Sequence, residues 1–493
     1  MTLFVLFLAG GVLFAQSNQS TVTQTGSNDY ADVDQYGSQN QSTVTQMTGD
    51  ANLVGLPATA GSNGVYQKGA GNTSTILQDG DANLVQQYRT FSSNPPNNVY
   101  NSMQQIGDGN NSAITQTGSA NMVGVNNFAY HSGVDQVGNL NTSDVNQNGS
   151  GNHSREVWQN GNGNIVDADQ LGTTNFISFI HQNGNLNQSM VLQEGKTNFA
   201  EVAINGHRNI TSLVQDPTDW NEAVQHINGN DNQADITQEG MGYNYAKQWL
   251  NSTYLNTWNV VHIQQTGFNN DAYQYVKGDL NKLRIDQAGD FNTATMDIYT
   301  GFLASGGPSS ENDQCIDQTG ENNQANIRTQ GNGNTYLGAY MTPNGVPYDG
   351  GNSIIQDGGC NFAWLWIEGN DNLTHQYQGG ASHRSTLWLY GNSNTLATVQ
   401  YGYHQQSTMS IYGNSNGIYS DQTGEDNISL ITAAGNLNVV CVSQYGEDQL
   451  STVDILGDEN LVKVKQEGLL NVSDVDVIGN NNSAHVHQVG PLD

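Results

Sequence analysis

The sequence predicts an all-β fold: a β-solenoid of 22-residue coils. Each coil is two strand-turn halves of 11 residues, with Asn, Gln, Ser and Val ladders inside. Three observations predict it. First, only 12% of the 493 residues are charged and 35% are apolar, below the 45–50% of an ordinary globular domain. A large conventional core is therefore excluded, and a repeat array with a thin, partly polar core is expected. Second, an anchor residue followed two positions later by glycine recurs every eleven residues. Third, the columns between anchors alternate with the period of two that belongs to strands, not the 3.6 of helices.

The chain opens with TLFVLFLAGGVLFAQ, residues 2–16. This reads as a signal peptide over residues 1–15 with cleavage near Ala15, and it is too short for a membrane span. No Lys or Arg precedes Lys68, so the usual positively charged start is missing from this stretch. Export is the expectation.

Residues 16–355 keep the count of eleven with interruptions. Gln24, Gln35 and Gln46 are in step, as are Gln67 and Gln78, Gln105 and Gln116, and Gln136 and Gln147. Irregular stretches fall near 88–99, 243–260, 299–316 and 338–350. They are expected to be surface loops that replace or extend turns. With roughly 18 to 20 coils stacked at about 4.8 Å, the rod is expected to be about 90 Å long.

Residues 356–493 are regular. Gln356, Gln378, Gln400, Gln422, Gln444, Gln466 and Gln488 fall 22 apart, and Ile367, Leu389, Ile411, Ala433, Ile455 and Val477 fall midway. Five residues after an anchor, Asn recurs, as at Asn361, Asn427, Asn471, Asn416, Asn438 and Asn482. Seven after the Gln anchors come Ser407, Ser429, Ser451 and Ser473, and nine after come Ile431, Val442, Val453, Val464, Val475 and Val486. These offsets share one parity, so on a strand they share one face. Stacked amides can donate to one level and accept from the other, which makes a polar core tolerable because each group is paired. The turn glycines Gly402, Gly413, Gly424, Gly435, Gly446, Gly457, Gly468 and Gly479 allow the positive φ at which the chain reverses.

The other parity is mostly polar: Asp454, Lys463, Lys465, Asp474, Asp476, His485 and His487. His485 and His487 lack an evident third metal ligand. Asp454 and Asp476 read as a solvated face, not a catalytic carboxylate pair. Trp364, Trp366 and Trp388 share the outer face and suit sugar rings or fibre packing, and equally a local hydrophobic cover. Cys315, Cys360 and Cys441 show neither metal nor disulfide spacing. There is no phosphate loop, nucleophile elbow or zinc signature, so neither cofactor nor catalysis is expected. The net charge of −32 repels nucleic acid and anionic membranes. Glu425 and Glu447 stack one coil apart. Divalent cations or low pH should relieve their repulsion, and a solvated acidic edge is the favoured reading over a defined Ca²⁺ site.

These columns resemble the curlin repeat of bacterial curli fibres: Ser, five residues, Gln-x-Gly-x-x-Asn-x-Ala, three residues, Gln. QYGSQNQSTVTQ (35–46), QNGNLNQSMVLQ (182–193) and QIGDGNNSAITQ (105–116) are similar to it, with Ser in the Ala slot. The resemblance implies an exported subunit of extracellular amyloid fibres that serve biofilm matrix, adhesion and cell aggregation. It also implies a nucleator, chaperones and an export pore as partners. The chain is longer than a typical major curlin subunit and lacks the Gly-rich segment that addresses the pore. The residues leave three classes open: a self-assembling structural subunit, a monomeric solenoid adhesin using the inserted loops, and a β-helix enzyme acting on polysaccharide. The short half-repeat argues against the last. The period, and the absence of tandem Gly-Gly-x-Gly-x-Asp, exclude a calcium-binding nonapeptide roll.

Overall fold

A computed structural model describes residues 17–55, 62–85, 100–124, 133–251, 258–299, 312–336, 340–341, 347–348 and 354–491. The predicted signal peptide lies outside them. The described residues form two long parallel sheets that face each other across a thin core. Sheet A runs from Gln19–Gln24 to Ser483–Val489, and sheet B from Tyr30–Ala31 to Val472–Ile478. The chain alternates between them, so each coil contributes one level to each sheet. Sheet A has twenty strands, of which Thr335–Tyr336 and Ile354–Gly359 share one level, giving nineteen levels. Sheet B has twenty-three strands, and its first five levels are each split in two, giving eighteen.

The predicted parity is the observed one. In Leu450–Leu456, Ser451, Val453 and Ile455 are buried, while Asp454 and Leu456 are exposed. Its partner Val472–Ile478 places Ser473 on Ser451, Val475 on Val453 and Val477 on Ile455. In sheet A, Gln444 sits on Gln422 and Gln466 on Gln444. Burying the small Ser row beside Val and Ile rows brings the two sheets close, as close packing demands.

Glycine is required at the turns for two reasons. Gly402 has φ 111° and Gly424 φ 121°, a region that side chains disfavour. A Cβ on Gly402 would also lie 2.0 Å from the carbonyl oxygen of Gly424 in the next level. Two residues past the turn glycine the chain takes the left-handed conformation, usually at a non-glycine residue such as His404 (φ 53°) or Asp426 (φ 52°), and at a second glycine in a few turns, as at Gly109 (φ 64°).

Two of the four irregular stretches correct the expectation that they replace or extend turns. Residues 86–99 fall between Leu84–Val85 and Tyr100–Ile106, two halves of one sheet B level. Residues 337–353 likewise fall within one sheet A level, where Tyr340–Met341 pairs antiparallel with Pro347–Tyr348. Thr335 pairs with Asp313 before the excursion, and Ile354 pairs with Ile316 after it. The chain leaves a strand and re-enters it in register. Residues 252–257 and 300–311 lie outside the described residues and fall between a sheet B strand and the next sheet A strand. The 243–260 stretch is also mostly regular, since Tyr245–Asn251 is an ordinary strand. Its anchor Leu250 is followed two residues later by Ser252, and the missing glycine disguised it.

Candidate functional site

The distinctive chemistry of this molecule lies in its inward rows. Nineteen glutamines, from Gln24 to Gln488, form one ladder in sheet A. Each Nε2 donates to the Oε1 of the glutamine one level further along the chain, at 2.7–3.0 Å. The predicted rungs Gln356, Gln378, Gln400, Gln422, Gln444, Gln466 and Gln488 are its last seven. The second amide hydrogen is satisfied inside the coil: Gln422 Nε2 also bonds Gln406 O at 2.9 Å and Asn427 O at 3.0 Å.

A second ladder runs the other way. At the turns leading from sheet B to sheet A, nineteen asparagines from Asn18 to Asn482 accept, through Oδ1, the backbone N–H of the next asparagine at 2.9–3.4 Å. Their Nδ2 groups cap turn carbonyls, as Asn438 does at Gly457 O (2.8 Å). The predicted rungs Asn361, Asn427 and Asn471 lie at the opposite turn, where the column is mixed. His383 N bonds Asn361 Oδ1 (3.0 Å), and Gln449 N bonds Asn427 Oδ1 (3.2 Å). Asn471 instead bonds Glu467 O at 2.8 Å. The unbroken column was visible in the sequence as Asn394, Asn416, Asn438, Asn460 and Asn482, without substitution.

Two further features escaped the sequence reading. Sheet B carries its own glutamine ladder from Gln35 to Gln182; it ends where Ile204 replaces glutamine. The serine row, by contrast, is packed more than bonded. Ser473 Oγ donates to Ser451 Oγ at 3.2 Å, but the buried Oγ atoms of Ser407 and Ser429 have no partner among the described residues.

The outer faces offer little catalytic chemistry. Trp366 stacks on Trp388 at 5.4 Å between centroids, and the Arg328 guanidinium covers its other side at 4.4 Å. These ring faces are taken by neighbouring levels, which leaves only edges for a sugar. Among the described residues no group of three His, Cys, Asp or Glu is placed to hold a metal, His485 and His487 included. Burial pushes the Cys315 and Cys441 thiols up, away from the thiolate. Asp317 is raised by burial and by Asp286 and Asp357, against the lowering effect of Arg284. Asp144 is raised by burial and by Asp167 stacked on it. Such desolvated acids belong to a crowded ladder face.

Comparison with known families gives one match. The model of the curlin associated repeat fits residues 26–56 and 457–490. No curated protein matches the chain. The two matched segments fall in the first and last coils described, and the same rungs continue through the levels between them. The chain thus carries curlin associated repeats at these two places.

Proposed function

We propose that the protein is a secreted structural subunit that self-assembles end to end into extracellular curli-like amyloid fibres for biofilm matrix, surface adhesion and cell aggregation. One observation carries the reading: every sheet A level offers the next the same glutamine, and the turn leading into it the same asparagine. A level presents Gln Nε2 toward higher residue numbers and accepts through Gln Oε1 on the other side. Any terminal level is therefore a template for another copy, since open strand edges recruit strands. The groups of the first described strand, Ser20, Val22 and Gln24, reproduce the inward pattern of Ala484, Val486 and Gln488. The partners on this reading are other copies, with a nucleator, chaperones and an export pore by family resemblance. Divalent cations act on the acidic turns by screening, Glu425 and Glu447 being in register.

The test is incubation of purified residues 16–493 at neutral pH, read by amyloid-dye fluorescence, electron microscopy and fibre diffraction. Fibres with a meridional reflection at about 4.8 Å that seed fresh monomer support the reading. A monodisperse rod that never polymerises overturns it and turns attention to the inserted loops as an adhesin surface.

A further inference from the structure

End-to-end growth leaves the outer sheet faces unused, and at the last coils these faces carry opposite charge. On sheet A, Lys463 lies in register with His485 and Lys465 with His487, all four exposed. No other Lys or Arg follows Arg384 in this chain of net charge −32. On sheet B at the same height, Asp454 lies in register with Asp476, and Asp474 sits beside them, all exposed. Like charges stacked directly across strands are destabilising. Glu467 compensates in part, bonding Lys465 at 2.6 Å and His487 at 3.3 Å. No carboxylate among the described residues pairs with Lys463, and no cation pairs with the three aspartates.

We propose that these two faces bind each other, so that the C-terminal coils are a side-by-side docking surface for a second copy of this chain. The geometry is simple. Strands of sheets A and B run in opposite directions across the core. A second copy displaced sideways without rotation therefore sets its sheet B against sheet A of the first, with strands antiparallel across the contact. Lys463 and Lys465 then face Asp476 and Asp474. One flank meets as an apolar pair, Leu461 facing Ile478; on the other, Glu467 and Val489, which is in register with it one level on, face Val472. Leu461, Ile478, Val489 and Val472 are exposed at 36%, 79%, 59% and 60%, so the contact would cover them. Faces packed this way lie about 10 Å apart. The contact is head-to-tail in the lateral direction, so it does not close and yields ribbons of parallel rods.

The test uses charge reversal in the full chain. Sedimentation velocity reads lateral association of the soluble protein, and electron microscopy reads ribbon width wherever fibres form. The wild type is expected to associate sideways at low salt and to separate at high salt. Lys463→Glu with Lys465→Glu should weaken that association by at least about tenfold, as should Asp474→Lys with Asp476→Lys. All four changes together should restore it. Circular dichroism checks that the outward substitutions leave the coils intact. Association that is unaffected by either reversal, or not restored by the combination, overturns the proposal. Because pairing is read on soluble rods, its failure is distinct from a failure of end-to-end growth.

Discussion

Replacing Gln422 by leucine tests whether the glutamine ladder stabilises the coils or merely accompanies them. Gln422 is fully buried. Its Oε1 accepts from Gln400 Nε2 at 2.9 Å, and its Nε2 donates to Gln444 Oε1 at 2.9 Å. Leucine fits the volume but supplies neither group. Gln400 Nε2 keeps only its bond to Arg384 O (3.2 Å), and Gln444 Oε1 loses its donor. Two orphaned buried groups at about 1–3 kcal/mol each give a cost of about 2–6 kcal/mol. A solenoid does not unfold as one unit, so a global midpoint is the wrong readout. Native-state hydrogen exchange of amides in the levels of Gln400, Gln422 and Gln444 is the right one, with Thr423→Ala, a change at an exposed position, as control. Protection there should fall by at least about thirtyfold while levels ten coils away stay unchanged. Exchange equal to that of the control would refute the claim that paired amides hold the core.

Other outcomes follow from the same geometry. Gly424→Ala combines an unfavourable φ with a Cβ 1.9 Å from Gly446 O, and should cost about 2–6 kcal/mol. Gly417→Ala, whose nearest neighbour is a Tyr419 ring atom at 3.7 Å, should be mild by the same exchange measurement. Ser429→Ala removes a buried hydroxyl that has no partner, so it should be neutral or stabilising by up to about 1 kcal/mol; a large loss would mean that a serine bond exists. The raised carboxyls set the pH response. Their folded pKa lies above the ordinary 3.8, as at Asp317, Asp169 and Asp144. Their stabilising contribution is therefore complete below that value and lost as pH rises through the folded one. Native-state exchange protection of the levels around Asp317, corrected for the pH dependence of intrinsic exchange, should rise from pH 7 toward pH 4, and Asp317→Asn should flatten the rise; an unchanged slope in the variant would locate the effect elsewhere.

Most of the fold was legible because a stacked strand repeats its chemistry at a fixed interval. The Gln column from Gln356 to Gln488 and its glycines gave strand, turn and period together. What was not legible has specific causes. Tyr245–Asn251 lost its glycine signal at Ser252, so a regular strand looked like a loop. The excursion between Tyr336 and Ile354 breaks the eleven-residue count while leaving Thr335 and Ile354 on one level, and spacing along the chain cannot reveal that. Asn361, Asn427 and Asn471 share the five-residue offset with Asn394 to Asn482, so spacing does not separate the two columns; the interruptions at His383, Gln405 and Gln449 do. Whether a serine row is bonded or only packed depends on hydroxyl reach, which residue spacing does not encode.

The ladder also explains why such irregular spacing is tolerated. Successive rungs of the sheet A ladder are 22 residues apart at Gln400 and Gln422, 31 apart at Gln287 and Gln318, and 38 apart at Gln318 and Gln356. The bonds nonetheless stay between 2.8 and 2.9 Å. What is conserved in space is the stacking of one level on the next, and a longer connection adds only a slowly growing loop-closure cost. Level pairing therefore does not require the two levels to be close neighbours along the chain. By the same reasoning it does not require them to belong to one chain, since a level from another copy can supply the same amide, serine and valine rows. The opposed directions of the Gln and Asn ladders add a condition: the incoming level must point the same way, because a reversed copy would set Nε2 donors against Nε2 donors. Growth by this route is polar, and fibres seeded at one end with a distinguishable copy should show all subunits oriented alike.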